Sequence, residues 1–191
     1  LPNFVSKNLT SDFKKIFSTN HISIYNDAQL AALGEANYGA GRKYQDICFI
    51  TLSTGIGGAL VRDRRSLILP FSEPGHMIMD IDNNITFEET FSGGAIKRKF
   101  NGTSPDASDR KFWSQIEKGL AALLVNINMI EPVDAFVIGG GIVIRGNIDL
   151  DMVKEHFKSF SRIKIQPDIV IAELGDYSGL YGAMVKIRQA Y

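Results

Sequence analysis

The chain has 191 residues, 45% of them hydrophobic, and 21 basic residues balance 21 acidic ones. That suits one large domain, or one domain with part of another, around a sizeable buried core. Zero net charge excludes a nucleic-acid surface working by bulk charge, and the single cysteine, Cys48, excludes an internal disulfide or a thiolate zinc cluster within one chain.

In chain order, residues 10–18 read as a short helix capped by Thr10 or Ser11, with Phe13, Ile16 and Phe17 on one face. Residues 21–25 alternate as a strand does. Asn26-Asp27-Ala28-Gln29 matches a capping box that opens an alanine-rich helix over 28–37. Residues 47–61 read as a buried strand, a glycine-rich turn at 53–58 and a second strand. A tight polar turn with solvated charges is expected at 62–65 and a short strand at 66–70. Residues 71–82 begin with a Pro-Gly turn and end in alternating apolar residues, and 87–100 read as short helices around Gly93-Gly94. Residues 101–109 are a loop by composition, and 112–130 carry apolar residues at helical spacing in the longest expected helix. A buried strand over 134–141 ends in three glycines. It is followed by an amphipathic helix over 153–160, a strand over 169–172, a turn over 175–178 and a closing helix over 179–188. This order predicts an α/β domain with a mixed sheet. No apolar run reaches membrane-spanning length and no signal-peptide pattern opens the chain.

Several residues point to chemistry. The Ser53-Thr54-Gly55-Ile56-Gly57-Gly58 turn has two readings: a hairpin turn that needs glycine, or a nest in which positive φ aims successive N–H groups, helped by the Thr54 hydroxyl, at a phosphate. It is neither a Walker loop nor a dinucleotide fingerprint, because no GK[ST] or GxGxxG follows. Asp27 follows a strand pattern and starts a helix, so it is either a helix cap or a general base for an alcohol in phosphoryl transfer. Asn26 beside it offers a donor and an acceptor for a sugar hydroxyl. Glu73 and His76 flank Pro74-Gly75 in a turn that presents both, or are ordinary polar loop residues. Glu88 and Glu89 read most simply as solvent-facing helix charges. The triple glycine 139–141 admits a ligand close to the backbone, or is a tight strand-to-helix turn.

Taken together, these segments resemble the ROK family (repressors, open reading frames and sugar kinases). Residues 24–28 with 31–35 are similar to its ENDANAAALGE segment, and 52–58 to its TLGTGIGGG phosphate motif, with Ser53 and Ala59 in place of glycines. Glu73-Pro74-Gly75-His76-Met77 resembles GEIGHM, Phe87-Glu88 with Ser92-Gly93 resembles LE…SG, 137–141 resembles VIGGG, and 175–183 resembles GDDAGLIGA. The resemblance implies an actin-like, RNase-H-like ATPase fold: a mixed sheet flanked by helices, with residues 1–40 a remnant of an N-terminal sugar-binding lobe and 41–191 a C-terminal nucleotide-binding lobe. It implies ATP-dependent phosphorylation of a sugar hydroxyl in the cytoplasm. Asp27 would be the base, and Asn26, Glu73, His76 and Glu88 would be sugar ligands. Thr54, Gly55, Gly57 and Gly140 would hold ATP, with Mg2+ alongside. Its partners would be a small-molecule sugar and ATP, with no nucleic acid and no membrane, and the intact protein would be a homodimer. The family's opening DxGGT hairpin does not appear, and the first residue is Leu1 rather than methionine. An incomplete first lobe and impaired activity of this chain alone are therefore expected. The family's CxCGxxGC cluster does not appear either, so no structural zinc is expected. The alternative within the same family is the sugar-sensing domain of a transcriptional regulator.

Overall fold

The computed structural model describes residues 8–66, 73–103, 105–145, 147–164 and 166–190. Its centre is a five-stranded sheet. Strand β1 (Ile47–Leu52) and strand β2 (Ile56–Arg62) form the antiparallel hairpin that the 47–61 pattern predicts, and β3 (Arg65–Ser66) continues it through a turn at Asp63-Arg64. The continuation of this third strand to Pro70 lies outside the described residues. Strand β6 (Ala135–Gly139) pairs parallel with β1, and β7 (Asp168–Ile171) pairs parallel with β6. The spatial order is β3-β2-β1-β6-β7, so the central strand β1 has a neighbour on each side and is buried along nearly its whole length. Strands β4 (Ile78–Asp80) and β5 (Ile85–Thr86) make a separate two-stranded ribbon.

Because successive strand residues point to opposite faces, β1 feeds two cores. Cys48, Ile50 and Leu52 pack with α5 (Arg110–Ile130) and α7 (Leu150–Phe160) through Leu120, Leu124, Val153 and Phe157. Ile47 and Phe49 pack on the other face with α2 (Asp27–Tyr38) and α8 (Ser178–Ala190) through Ala32, Leu33, Ala36 and Val185. Helix α5 runs along the first face much as the apolar spacing over 112–130 requires, starting two residues earlier where Asp109 accepts from the Phe112 N–H. The order of layers is helix pair, sheet, helix pair, which places α2 in the same packed body as the sheet.

Three readings of the sequence are corrected. Residues 21–25 belong to no strand. The alternation is present, yet a strand needs a neighbour to pair with, and Ile24 and Tyr25 stand 49% and 41% exposed instead. Helix α1 (Leu9–Ile16) is capped by Asn8, whose side chain accepts from the Ser11 N–H at 3.0 Å, rather than by Thr10 or Ser11. In the 62–65 turn Arg62 is not merely solvated: it pairs with Asp46 and Glu131 at 2.5 and 2.9 Å and ties the hairpin to the end of α5.

Helices α2 and α8 cross closely. A Cβ at Gly182 would overlap the Leu30 carbonyl and one at Gly34 the Ser178 carbonyl, so backbone meets backbone at the crossing. Overpacking of this kind costs about 1–3 kcal/mol or more. Gly182→Ala is therefore expected to lower the thermal midpoint by several degrees in a calorimetric scan, whereas Gly179→Ala, where a Cβ meets nothing within 4 Å, leaves it nearly unchanged.

Candidate active site

Segments distant in sequence meet at the carboxyl ends of β1 and β6. Parallel pairing, with Thr51 opposite Gly139, makes both strands end on the same edge. There Asp27, Ser53, Gly139, Gly140 and Gly141 line one cleft of about 540 Å³, with Arg145, Asp176 and Ser178 also in its wall. The size is that of a small-molecule site, and the place is where open α/β sheets bind ligands.

Asp27 is the first residue of α2, and Asn26 carries the cap: its Oδ1 accepts from the Gln29 N–H at 3.1 Å. Asp27 accepts from its neighbour's amide, Ala28 N–H, at 2.9 Å, and is exposed in the cleft wall. The division of labour separates the two readings of Asp27: the capping work is done by the residue before it.

The glycine-rich turn is built differently from the expected nest. None of Gly55, Gly57 and Gly58 has a positive φ. The turn is instead clamped from outside. The Ser53 and Thr54 carbonyls accept from the Gly93 and Gly94 amides at the start of α4 (Gly93–Lys99), at 2.7 and 2.9 Å. Glu88 on α3 (Phe87–Phe91) accepts from the Ile56 N–H at 2.7 Å. A turn held by those partners needs no left-handed residue. Its glycines serve close approach: a Cβ at Gly55 would lie 2.6 Å from Glu88 Oε2. The positive φ falls on Gly140, at 94°, where a Cβ would run into the Leu52 backbone.

The structure brings some predicted site residues together and separates others. Asp27 and Gly140 share the cleft. His76 Nε2 lies 3.7 Å from Glu88 Oε1, so Glu88 faces inward between the histidine and the turn rather than out to solvent. Thr54 is exposed beside the cleft, and Gly57 backs onto Thr51 and Ala28. Glu73 joins neither group: it lines an apolar pocket of about 320 Å³ with Cys48, Ile50, Met77 and Ile127, against the other face of β1. Burial pushes the Cys48 thiol up to about 12, so it carries no thiolate near neutral pH.

One residue that shapes the site carried no functional reading in the sequence. Glu35 is fully buried, and its carboxylate accepts from three backbone amides: Ala40 at 2.9 Å, Glu173 at 3.1 Å and Leu174 at 2.8 Å. Arg42 pairs with Glu173 and donates to the Gly39 carbonyl at 2.8 Å, closing the same knot. Glu35 thereby fixes the loop that leads into Gly175 and the cleft wall. A glutamate on the apolar face of an alanine-rich helix was the available signal. Among the described residues no group of three or more His, Cys, Asp or Glu is placed to cage a cation. A Mg2+ held chiefly by substrate phosphates needs only one or two carboxylates, and Asp27 and Asp176 are those in the cleft wall.

The ROK family profile matches residues 2–190. The chain belongs to the ROK family. The bifunctional enzyme NanE/NanK of Brucella melitensis biotype 1 is 31% identical over 182 residues, covering 84% of this chain and 34% of that protein. This chain thus spans about a third of that relative's length. A ROK glucokinase from Streptomyces griseus, solved with glucose and AMPPNP, superposes with a TM-score of 0.79 at 23% identity, over 96% of this chain and 73% of that one. A ROK transcriptional regulator homologous to the Escherichia coli MLC protein superposes at 0.78 with 20% identity, over 95% and 55%. The fold is the actin-like ATPase fold of ROK proteins, with a mixed sheet flanked by helices as expected.

Removing the Glu35 carboxylate leaves the buried Ala40 amide and the partly buried Glu173 and Leu174 amides without their acceptor, and a buried unsatisfied donor costs about 1–3 kcal/mol. Glu35→Ala is expected to lower stability by about 1–3 kcal/mol or more in urea unfolding. Glu35→Gln, which keeps one acceptor oxygen, is expected to fall between it and the unsubstituted chain.

Proposed function

We propose that this chain is the nucleotide-binding and base-bearing part of a ROK-type hexose kinase that moves a phosphoryl group from ATP to a sugar hydroxyl. The observation that carries the reading is the presence of Asp27 in one cleft wall with Ser53 and Gly139–Gly141. Binding a sugar needs no base, whereas phosphoryl transfer to an alcohol uses a carboxylate to take the hydroxyl proton, and Asp27, not engaged in capping, is placed to supply one. The fold does not decide between kinase and regulator, since both occur on it.

In this reading Asp27 takes the proton from the attacking hydroxyl as the phosphorus–oxygen bond forms. Asn26 is the adjacent hydroxyl ligand. His76 and Glu88, held as a pair against the 53–56 turn, orient the sugar from the other side. Glu73 would join them only by turning away from its apolar pocket. The clamped turn and the Gly140 backbone, with Thr54, Gly55 and Gly57 beside them, shape the polyphosphate seat. Mg2+ would arrive with the nucleotide and neutralise charge on the transferring group. A cytoplasmic setting follows from ATP as donor, and residues 1–40 would be the remnant of the sugar-binding lobe, with 41–191 the nucleotide-binding lobe. No helix among the described residues is long and apolar enough to cross a membrane.

The test is Asp27→Asn in the full product of the gene, with kcat and sugar affinity measured separately. A base acts in the transition state and contributes little to ground-state binding. The substitution is expected to lower kcat by about 10²–10⁴ while sugar affinity stays within a few-fold. Near-normal kcat would remove Asp27 from the chemistry.

A further inference from the structure

We propose that Arg145 is a contact for the nucleotide's phosphate chain, an inference that rests on the kinase reading and names a residue that the motif resemblance does not assign. The ionisable side chains lining the cleft are Asp27, Asp176 and Arg145. The first two are acidic and suit a Mg2+ that arrives with the nucleotide, so Arg145 is the basic side chain that the described cleft wall offers to the phosphates themselves. Arg145 is exposed, and among the described residues it has no carboxylate partner that would spend its charge elsewhere.

Local geometry explains why it faces the cleft. Gly140 takes a φ of 94°, turning the chain sharply from β6 into the single turn α6 (Gly141–Ile144), which Arg145 caps. Residues four apart stack on one side of such a turn, so Arg145 folds back over Gly141. Its Nη2 lies 3.7 Å from the point where a Gly141 Cβ would sit. The absence of a side chain at Gly141 leaves the guanidinium beside the exposed backbone of the cleft wall. A guanidinium presents a planar fork of donors that matches two phosphate oxygens at once, which a lysine ammonium does not.

The experiment compares two ligands on this chain by isothermal titration: AMPPNP with Mg2+, and adenosine, which has the same nucleoside and no phosphate. The proteins are the unsubstituted chain, Arg145→Met and Arg145→Lys. Loss of a charge-assisted hydrogen-bonded pair is expected to raise the AMPPNP Kd of Arg145→Met by about 10- to 100-fold. Arg145→Lys is expected to lie in between, with adenosine affinity and thermal midpoint unchanged in both. Equal AMPPNP affinity for Arg145→Met and the unsubstituted chain would overturn the inference and leave the kinase reading standing. Equal losses for AMPPNP and adenosine would also overturn it, placing Arg145 on the nucleoside or in the fold. No AMPPNP binding by the unsubstituted chain would overturn the nucleotide reading and this inference with it.

Discussion

The parallel pairing of β1 with β6 is the constraint on which the rest of the molecule depends. Parallel strands end at the same edge, so the turn after Leu52 and the turn after Gly139 must emerge side by side. The register is held from both faces, because β6 is buried throughout, β1 along nearly its whole length, and a one-residue slip would exchange every side chain between the two cores. The Leu52 backbone then stands so close to Gly140 that no side chain fits there, and the chain leaves β6 by a route that opens the cleft. The two glycine-rich motifs are distant in sequence and adjacent in space for this one reason.

The remaining wall depends on a different device. Helices α2 and α8 cross backbone to backbone, and that contact positions Asp27 and Ser178 relative to the sheet. Glu35 locks the end of α2 to the loop before Gly175 by giving three amides a shared acceptor. A buried carboxylate is costly unless its hydrogen bonds are satisfied, and here they are.

Local features were the most legible in the sequence. The hairpin over 47–61, the long helix over 112–130 and the Asn26 cap depend on spacing within a few residues, and the structure has all three. What the sequence did not disclose depends on partners far along the chain. The alternation over 21–25 has the period of a strand, but without the opening hairpin no sheet neighbour is expected, and among the described residues none lies beside it. The glycines at 55, 57 and 58 were read as sources of positive φ, when Glu88 and the α4 amides, over 30 residues away, hold the turn. Glu88 looked like a surface charge because an acidic residue in a helix's first turn is ordinary, and only the Ile56 amide turns it inward. Glu35 shows locally only as an acidic residue on an apolar helix face, and Arg145 has no local signature, since the one is defined by loops it bonds and the other by the cleft it faces.

The proposed nucleotide site is the cleft at the ends of β1 and β6, and not the apolar pocket on the other face of β1. Hydrogen exchange of the chain with and without Mg2+ and AMPPNP tests this most directly, because it reports protection segment by segment. A nucleotide in the cleft is expected to slow exchange at 51–55, 139–145 and 173–179 and to leave 127–131 and 74–77 unchanged. Protection confined to 127–131 and 74–77 would contradict it.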